Sequence, residues 1–190
     1  MKPWALLLLA LPVGAADLAG VKLSDQLTQD GHTLVLNGAG VREYGFFGFD
    51  VYAAGLYLPS RQRQVQAVLD APGPKLLVLH LFHGATPEDT IKAWQPYFAG
   101  NCAPPCELPR AQLDAFHALL PDTQKGDVQT YLFENDTVTI AHNGRMLGRV
   151  EGGGFARVLL STWIGAVPTT QDLKRDLLGG PPPSTPEPSP

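Results

Sequence analysis

Arg42 is the residue whose type and setting most invite chemistry, because it is a cation placed between two apolar β runs. It lies in Leu34–Pro59, LVLNGAGVREYGFFGFDVYAAGLYLP, just past a Gly38-Ala39-Gly40 segment that reads as a turn. The run that follows is apolar on both alternating faces. Phe47, Phe49, Val51, Ala53, Gly55 and Tyr57 fall on one face; Phe46, Tyr52, Ala54, Leu56 and Leu58 fall on the other. A strand of that kind is expected to be covered on both sides. A guanidinium beside it is costly to bury unless something anionic or polar meets it. Two readings stand: a solvated strand-end residue paired with a local acid such as Glu43 or Asp50, or a cation turned toward a ligand.

Other chemistry-bearing residue types give weaker signals. Cys102 and Cys106 sit in Asn-Cys-Ala-Pro-Pro-Cys-Glu, where the prolines prevent a regular helix and let the loop bend the thiols together. In an oxidising compartment the default is a disulfide, and closing so short a loop stabilises by roughly 2 kcal/mol in the chain-entropy model. A Cys-x3-Cys copper or redox site is the alternative; the spacing is neither that of a thioredoxin-like motif nor that of haem attachment. His80 and His83 lie three positions apart on one predicted strand, so they point to opposite faces and cannot hold one ion together. His117 falls on a helix at a packing boundary. The chain has no His/Cys cluster with zinc spacing, no Gly-x-Ser-x-Gly and no phosphate loop; Gly152-Gly153-Gly154 reads as a linker. Trp94 and Trp163 read as core anchors. No metal and no cofactor is expected.

The compartment that makes the cysteines readable comes from the first residues. Met1–Ala16 reads as a secretory signal, with Lys2 as the positive start, Ala5–Pro12 as the apolar core and Val13-Gly14-Ala15 as the cleavage pattern. Residues 1–15 are taken as the signal, 16–179 as one domain and 180–190, within GGPPPSTPEPSP, as a disordered proline-rich tail. The expected location is periplasmic or secreted. The net charge of −4 becomes −5 without Lys2, and no Lys/Arg stripe is present, so nucleic acid is disfavoured as a partner. No second apolar run is long enough to span a bilayer as a helix. The oligomeric state is not legible.

The elements that must position these residues follow from periodicity. Val35–Val41 and Phe46–Leu58 are predicted as neighbouring strands, Gln64–Asp70 as a short helix and Lys75–His83 as a strand. Thr86-Pro87-Glu88-Asp89 is a helix start that buries Ile91, Trp94 and Phe98. Leu113, Phe116 and Leu120 mark the next helix. A meander of Asp127–Phe133, Thr137–Ala141 and Arg145–Val150 follows, turned by Asn135-Asp136 and Asn143-Gly144. Two closing helices are predicted, one with the stripe Phe155, Val158, Leu159, Thr162 and Trp163, the other over Thr170–Leu178, capped by Thr169 or Thr170. The order gives an α+β fold with a mainly antiparallel sheet and helices on one face.

Three segments together resemble the chalcone isomerase-like family, in particular its bacterial exported branch. They are Leu36-Asn37-Gly38-Ala39-Gly40-Val41-Arg42 with Val51–Pro59, the Asn143-Gly144 hairpin running into Gly153-Gly154-Phe155, and Phe155–Gly165 with Val167-Pro168 and Leu173–Gly179. The resemblance implies an open-faced β-sandwich, a large antiparallel sheet backed by helices, with a cleft between the layers for a small amphipathic ligand. It also implies that Arg42 faces the cleft, as an oxyanion clamp in the family's isomerases or a carboxylate partner in its fatty-acid binders. The other isomerase positions do not carry over. Tyr52 stands where they place a threonine, Thr90 and Tyr97 stand where they place a tyrosine and an asparagine, and a second threonine is missing near Arg145. Arg42, Tyr52, Tyr97 and Thr90 are therefore the candidate ligand-binding residues. Tyr52 is either a core residue with its hydroxyl at the rim or the second half of a carboxylate clamp with Arg42. The expected function is non-catalytic binding of a small amphipathic anion such as a fatty acid. An intramolecular lyase or isomerase acting on an enone-like substrate, and an envelope protein-interaction domain without a small ligand, are the alternatives.

Overall fold

The structure is a computed structural model that describes residues 15–45, 48–102, 104–152 and 154–180. Most of the predicted signal, Phe46 and Phe47, and the tail from 181 onward lie outside the described residues.

Seven strands form one antiparallel sheet whose spatial order is the chain order. They are β3 (Gln26–Gln29), β4 (His32–Tyr44), β5 (Phe49–Leu58), β6 (Lys75–Leu81), β7 (Val128–Glu134), β8 (Thr137–His142) and β9 (Arg145–Glu151). A separate hairpin, β1 (Ala15–Leu18) and β2 (Val21–Ser24), precedes them. Five helices complete the chain: α1 (Val65–Asp70), α2 (Pro87–Asn101), α3 (Arg110–His117), α4 (Phe155–Ile164) and α5 (Gln171–Leu177).

The signals read from the sequence have visible causes here. Thr86 caps α2, its hydroxyl accepting from the Asp89 N–H at 3.1 Å, with Pro87 at the first helical position. Thr170, rather than Thr169, caps α5 by accepting from the Leu173 N–H at 3.2 Å. Asn143 and Gly144 have φ of 50° and 77°, as a tight primed hairpin turn requires. Cys102 and Cys106 form a disulfide. No described helix is long and apolar enough to cross a membrane.

Both faces of the sheet are covered, as the doubly apolar β5 predicts. Toward the helices, Tyr52, Ala54, Leu56 and Leu58 join Leu77, Leu79, Trp94, Phe116, Tyr131 and the almost wholly buried α4 in the main core. On the opposite face, Tyr57 packs with Leu34, Leu36, Leu76, Val78 and Leu23 of the β1–β2 hairpin. Strands β1 to β3 carry no expectation from periodicity, because each is only four residues long. The Asp30-Gly31 pair between β3 and β4 was the signal for one of them: its φ values of 47° and 79° make it the same kind of turn as Asn143-Gly144.

One expectation is corrected. Gly38-Ala39-Gly40 is not a turn but the middle of β4, and the chain reverses at Gly45–Gly48 instead. The glycines serve close approach. A Cβ at Gly38 would lie 2.0 Å from the Asp176 carbonyl oxygen, and one at Gly40 would lie 2.7 Å from the Asp176 Cβ. Helix α5 lies directly on the backbone of β4, which side chains at these positions would prevent.

Candidate functional site

Alternation sets which way each β4 residue points, and a bulge resets it. Leu36 pairs with Tyr57 but Gly38 pairs with Leu56, so Asn37 is an extra residue in β4. Before it, Leu34 and Leu36 face the β1–β2 hairpin. After it, Gly38, Gly40 and Arg42 pair with Leu56, Ala54 and Tyr52, which all face the helices. Without the bulge, Arg42 would share the phase of Leu34 and Leu36 and lie on the outer face. Asn37 is 6% exposed and makes the bulge tenable, since its amide donates to the Leu177 carbonyl at 2.7 Å and its Oδ1 accepts from the Gln62 N–H at 2.6 Å. A second shift, between Arg42 and Glu43, leaves Val51 as an extra residue on β5 beside the arginine.

Arg42 therefore stands on the cleft face at the open end of the sheet. Its Cζ lies 5.8 Å from the centre of the Tyr52 ring and 5.9 Å from that of Tyr44. Its Nε is buried and has no hydrogen-bond partner among the described residues, and neither Glu43 nor Asp50 forms an ion pair with it there. A buried donor left unpaired is a liability to the fold unless something else meets it.

A cavity of about 220 Å³ opens beside this guanidinium. Arg42, Val51, His83 and Asp89 border it along with Thr90 and Thr123, and Tyr52, Leu79, Leu81, Trp94 and Gln129 form its buried part. The polar groups on the α2 side are already engaged. The Asp89 carboxylate accepts from the Thr86 hydroxyl at 2.8 Å, and the Thr90 hydroxyl donates to the Thr86 carbonyl at 3.0 Å. Trp94, which lines the cavity, is held in the core by stacking on Phe116 at 5.2 Å and by meeting Trp163 edge-on at 5.4 Å.

Three of the four predicted residues, Arg42, Tyr52 and Thr90, border this one cavity; Tyr97 is not among the described residues that line it. The Tyr97 hydroxyl instead donates to the Thr169 carbonyl at 3.4 Å. Tyr52 is 5% exposed, and its oxygen accepts from the Trp163 indole N–H at 3.0 Å, so its hydroxyl lies in the core and not at the rim. Burial raises its pKa above the ordinary phenol value, outweighing the opposing pull of Arg42, so the phenol stays protonated. Tyr52 offers the guanidinium a ring face. His83 also reaches the cavity and packs against Phe49 at 5.7 Å, whereas His80 points to the hairpin face. Gln129 was missed, although its signal was present: it is the polar member of an alternating strand whose other inward residues are Tyr131 and Phe133.

A larger groove of about 680 Å³ lies between β4 and α5, far less suited to an anion. Its cations are engaged: Arg175 pairs with Asp172 at 2.6 Å and Asp176 at 3.0 Å, and the Arg61 Nε donates to the Leu36 carbonyl at 3.1 Å. Among the described residues no group of acids, histidines or cysteines is arranged to hold a metal ion.

Comparison with known proteins agrees with this architecture. A crystal structure of a fatty-acid binding protein from Arabidopsis thaliana superposes with a TM-score of 0.71 at 16% sequence identity, over 87% of this chain and 96% of that one. At that identity the likeness shows the fold: a curled antiparallel sheet backed by helices, as the sequence predicts. No curated protein sequence matches the chain. The family model described as Chalcone isomerase-like matches residues 15–179, nearly the whole of the described structure, and the chain belongs to that family.

Proposed function

We propose that this protein is an exported member of the family's bacterial branch that binds, without turning it over, a small amphipathic anion such as a fatty acid. Arg42 holds the carboxylate at the mouth of the cavity between sheet and helices. The observation that carries this reading is a guanidinium with a buried, unpartnered Nε at the edge of a cavity whose interior is Tyr52, Leu79, Leu81 and Trp94. A planar two-pronged donor next to apolar walls suits a carboxylate with an apolar body. The likeness to a protein described as fatty-acid binding supports the ligand class. The predicted signal and the Cys102–Cys106 disulfide support the exported location.

The test is purification from an exported, oxidised preparation, extraction with organic solvent and mass spectrometry, with Arg42→Ala alongside. The expected result is an acidic amphiphile in the wild type and none in a variant of unchanged fold. A charge-assisted hydrogen bond contributes about 1.5–3 kcal/mol, so affinity should fall roughly ten- to hundredfold. Equal ligand retention in Arg42→Ala would sink the proposal. The intact mass of the same preparation tests the leader: loss of residues 1–15 is expected, and a full-length exported product contradicts it.

A further inference from the structure

We infer that Gln129 is the second binding residue of this site: its amide N–H groups and the Arg42 guanidinium hold the same carboxylate, one from each side. The inference rests on the anion-binding reading of Arg42 and names the neutral partner in that recognition. Gln129 lines the cavity from β7 and is only 6% exposed. Its Oε1 accepts from the Tyr131 hydroxyl at 3.0 Å. That bond accounts for the amide oxygen and leaves the nitrogen with two N–H donors, which bond nothing among the described residues. The other polar groups of the lining do not compete for an anion at this depth. The hydroxyls of Thr90 and Thr123 donate to the Thr86 and Ala85 carbonyls, the Asp89 carboxylate can only accept, and His83 is exposed. An amide meets an anion there without adding a second charge to the interior.

Reach allows one carboxylate to take both donors. Arg42 pairs with Tyr52 and Tyr52 with Leu81, while Gln129 pairs with Leu79, two residues from Leu81 on the same face. Three strand spacings and that offset set the two backbones about 16 Å apart on the diagonal. An arginine and a glutamine extended toward each other cover roughly 10 Å of it. A carboxylate with a hydrogen bond at each oxygen spans about 8 Å, so the gap closes over Leu81, which lies between them in the cavity wall.

The test uses decanoate and the oxidised, exported protein, freed of lipid. Tyr131→Phe is the background, because removing the amide alone would orphan the Tyr131 hydroxyl. Adding Gln129→Met to that background should weaken decanoate about tenfold in calorimetry. Adding Arg42→Ala as well should cost at least about threefold less than the product of the two separate losses, since both donors meet one group. In the wild type, the assigned side-chain amide resonances of Gln129 should move downfield as decanoate saturates the site. That spectrum decides alone if the variants do not fold. If decanoate binds Arg42→Ala as it binds wild type, or does not bind wild type, the anion-binding reading itself falls. If Arg42→Ala loses binding but the Gln129 resonances stay in place, or Gln129→Met costs nothing on its background, the present inference falls and that reading stands. Losses that simply multiply would give the two residues separate acceptors and overturn the shared carboxylate.

Discussion

At the scale of single residues, Tyr52 separates a clamp from a floor. Its oxygen is occupied by the Trp163 indole N–H and its ring lies beside the Arg42 guanidinium. Tyr52→Phe is therefore expected to change ligand affinity by less than about threefold. Trp163→Phe removes a donor inside the core and should destabilise by about 1–3 kcal/mol in urea unfolding. A loss of binding in Tyr52→Phe comparable to that in Arg42→Ala would restore the two-residue clamp. Arg42 was legible because a cation between apolar strands breaks the local pattern. Gln129 breaks its own pattern too, but more quietly, since a glutamine is common on a solvated strand face and only burial makes it unusual.

At the scale of elements, the junction of β4 with α5 governs the site without touching it. Asn37 adds the residue that turns Arg42 inward, and it ties the bulge to the end of α5 through the Leu177 carbonyl. Gly38 then lets α5 lie on the strand. Gly38→Ala forces a Cβ against the Asp176 carbonyl and should cost about 1–3 kcal/mol, read as a lower unfolding midpoint. An unchanged midpoint would mean that α5 shifts freely. The capping signals of α2 and α5 were legible because a cap is local, made by residues three apart. The glycine pair was readable as special but not as to purpose, because its partner, Asp176, lies well over a hundred residues further on.

The whole molecule is a sheet covered on both sides by different means, helices on one face and a short hairpin on the other. His80 lies on the hairpin face, between Ala53 and Val128, and burial holds its pKa below the ordinary value near 6.5. With the folded value lowered, the unfolded chain binds the extra proton first. The stability is complete above about pH 6.5 and declines as the pH falls through that value toward the folded one. Urea unfolding between about pH 7.5 and 5.5 should show that decline, and His80→Leu should flatten it. A slope unaltered by the substitution would assign the effect to other groups.

The sequence by itself determined the elements that rest on local physics: capped helices, the Asn135-Asp136 and Asn143-Gly144 turns, alternating strands, and a β5 too apolar to have a bare face. It also singled out Arg42 as a charge in need of a partner. Only the tertiary structure decided where that charge points, because one bulged residue reverses the alternation and nothing in Leu34–Arg42 fixes the register in advance. The same holds for Gln129, which reaches the cavity only because β7 pairs with β6, a strand much earlier in the chain.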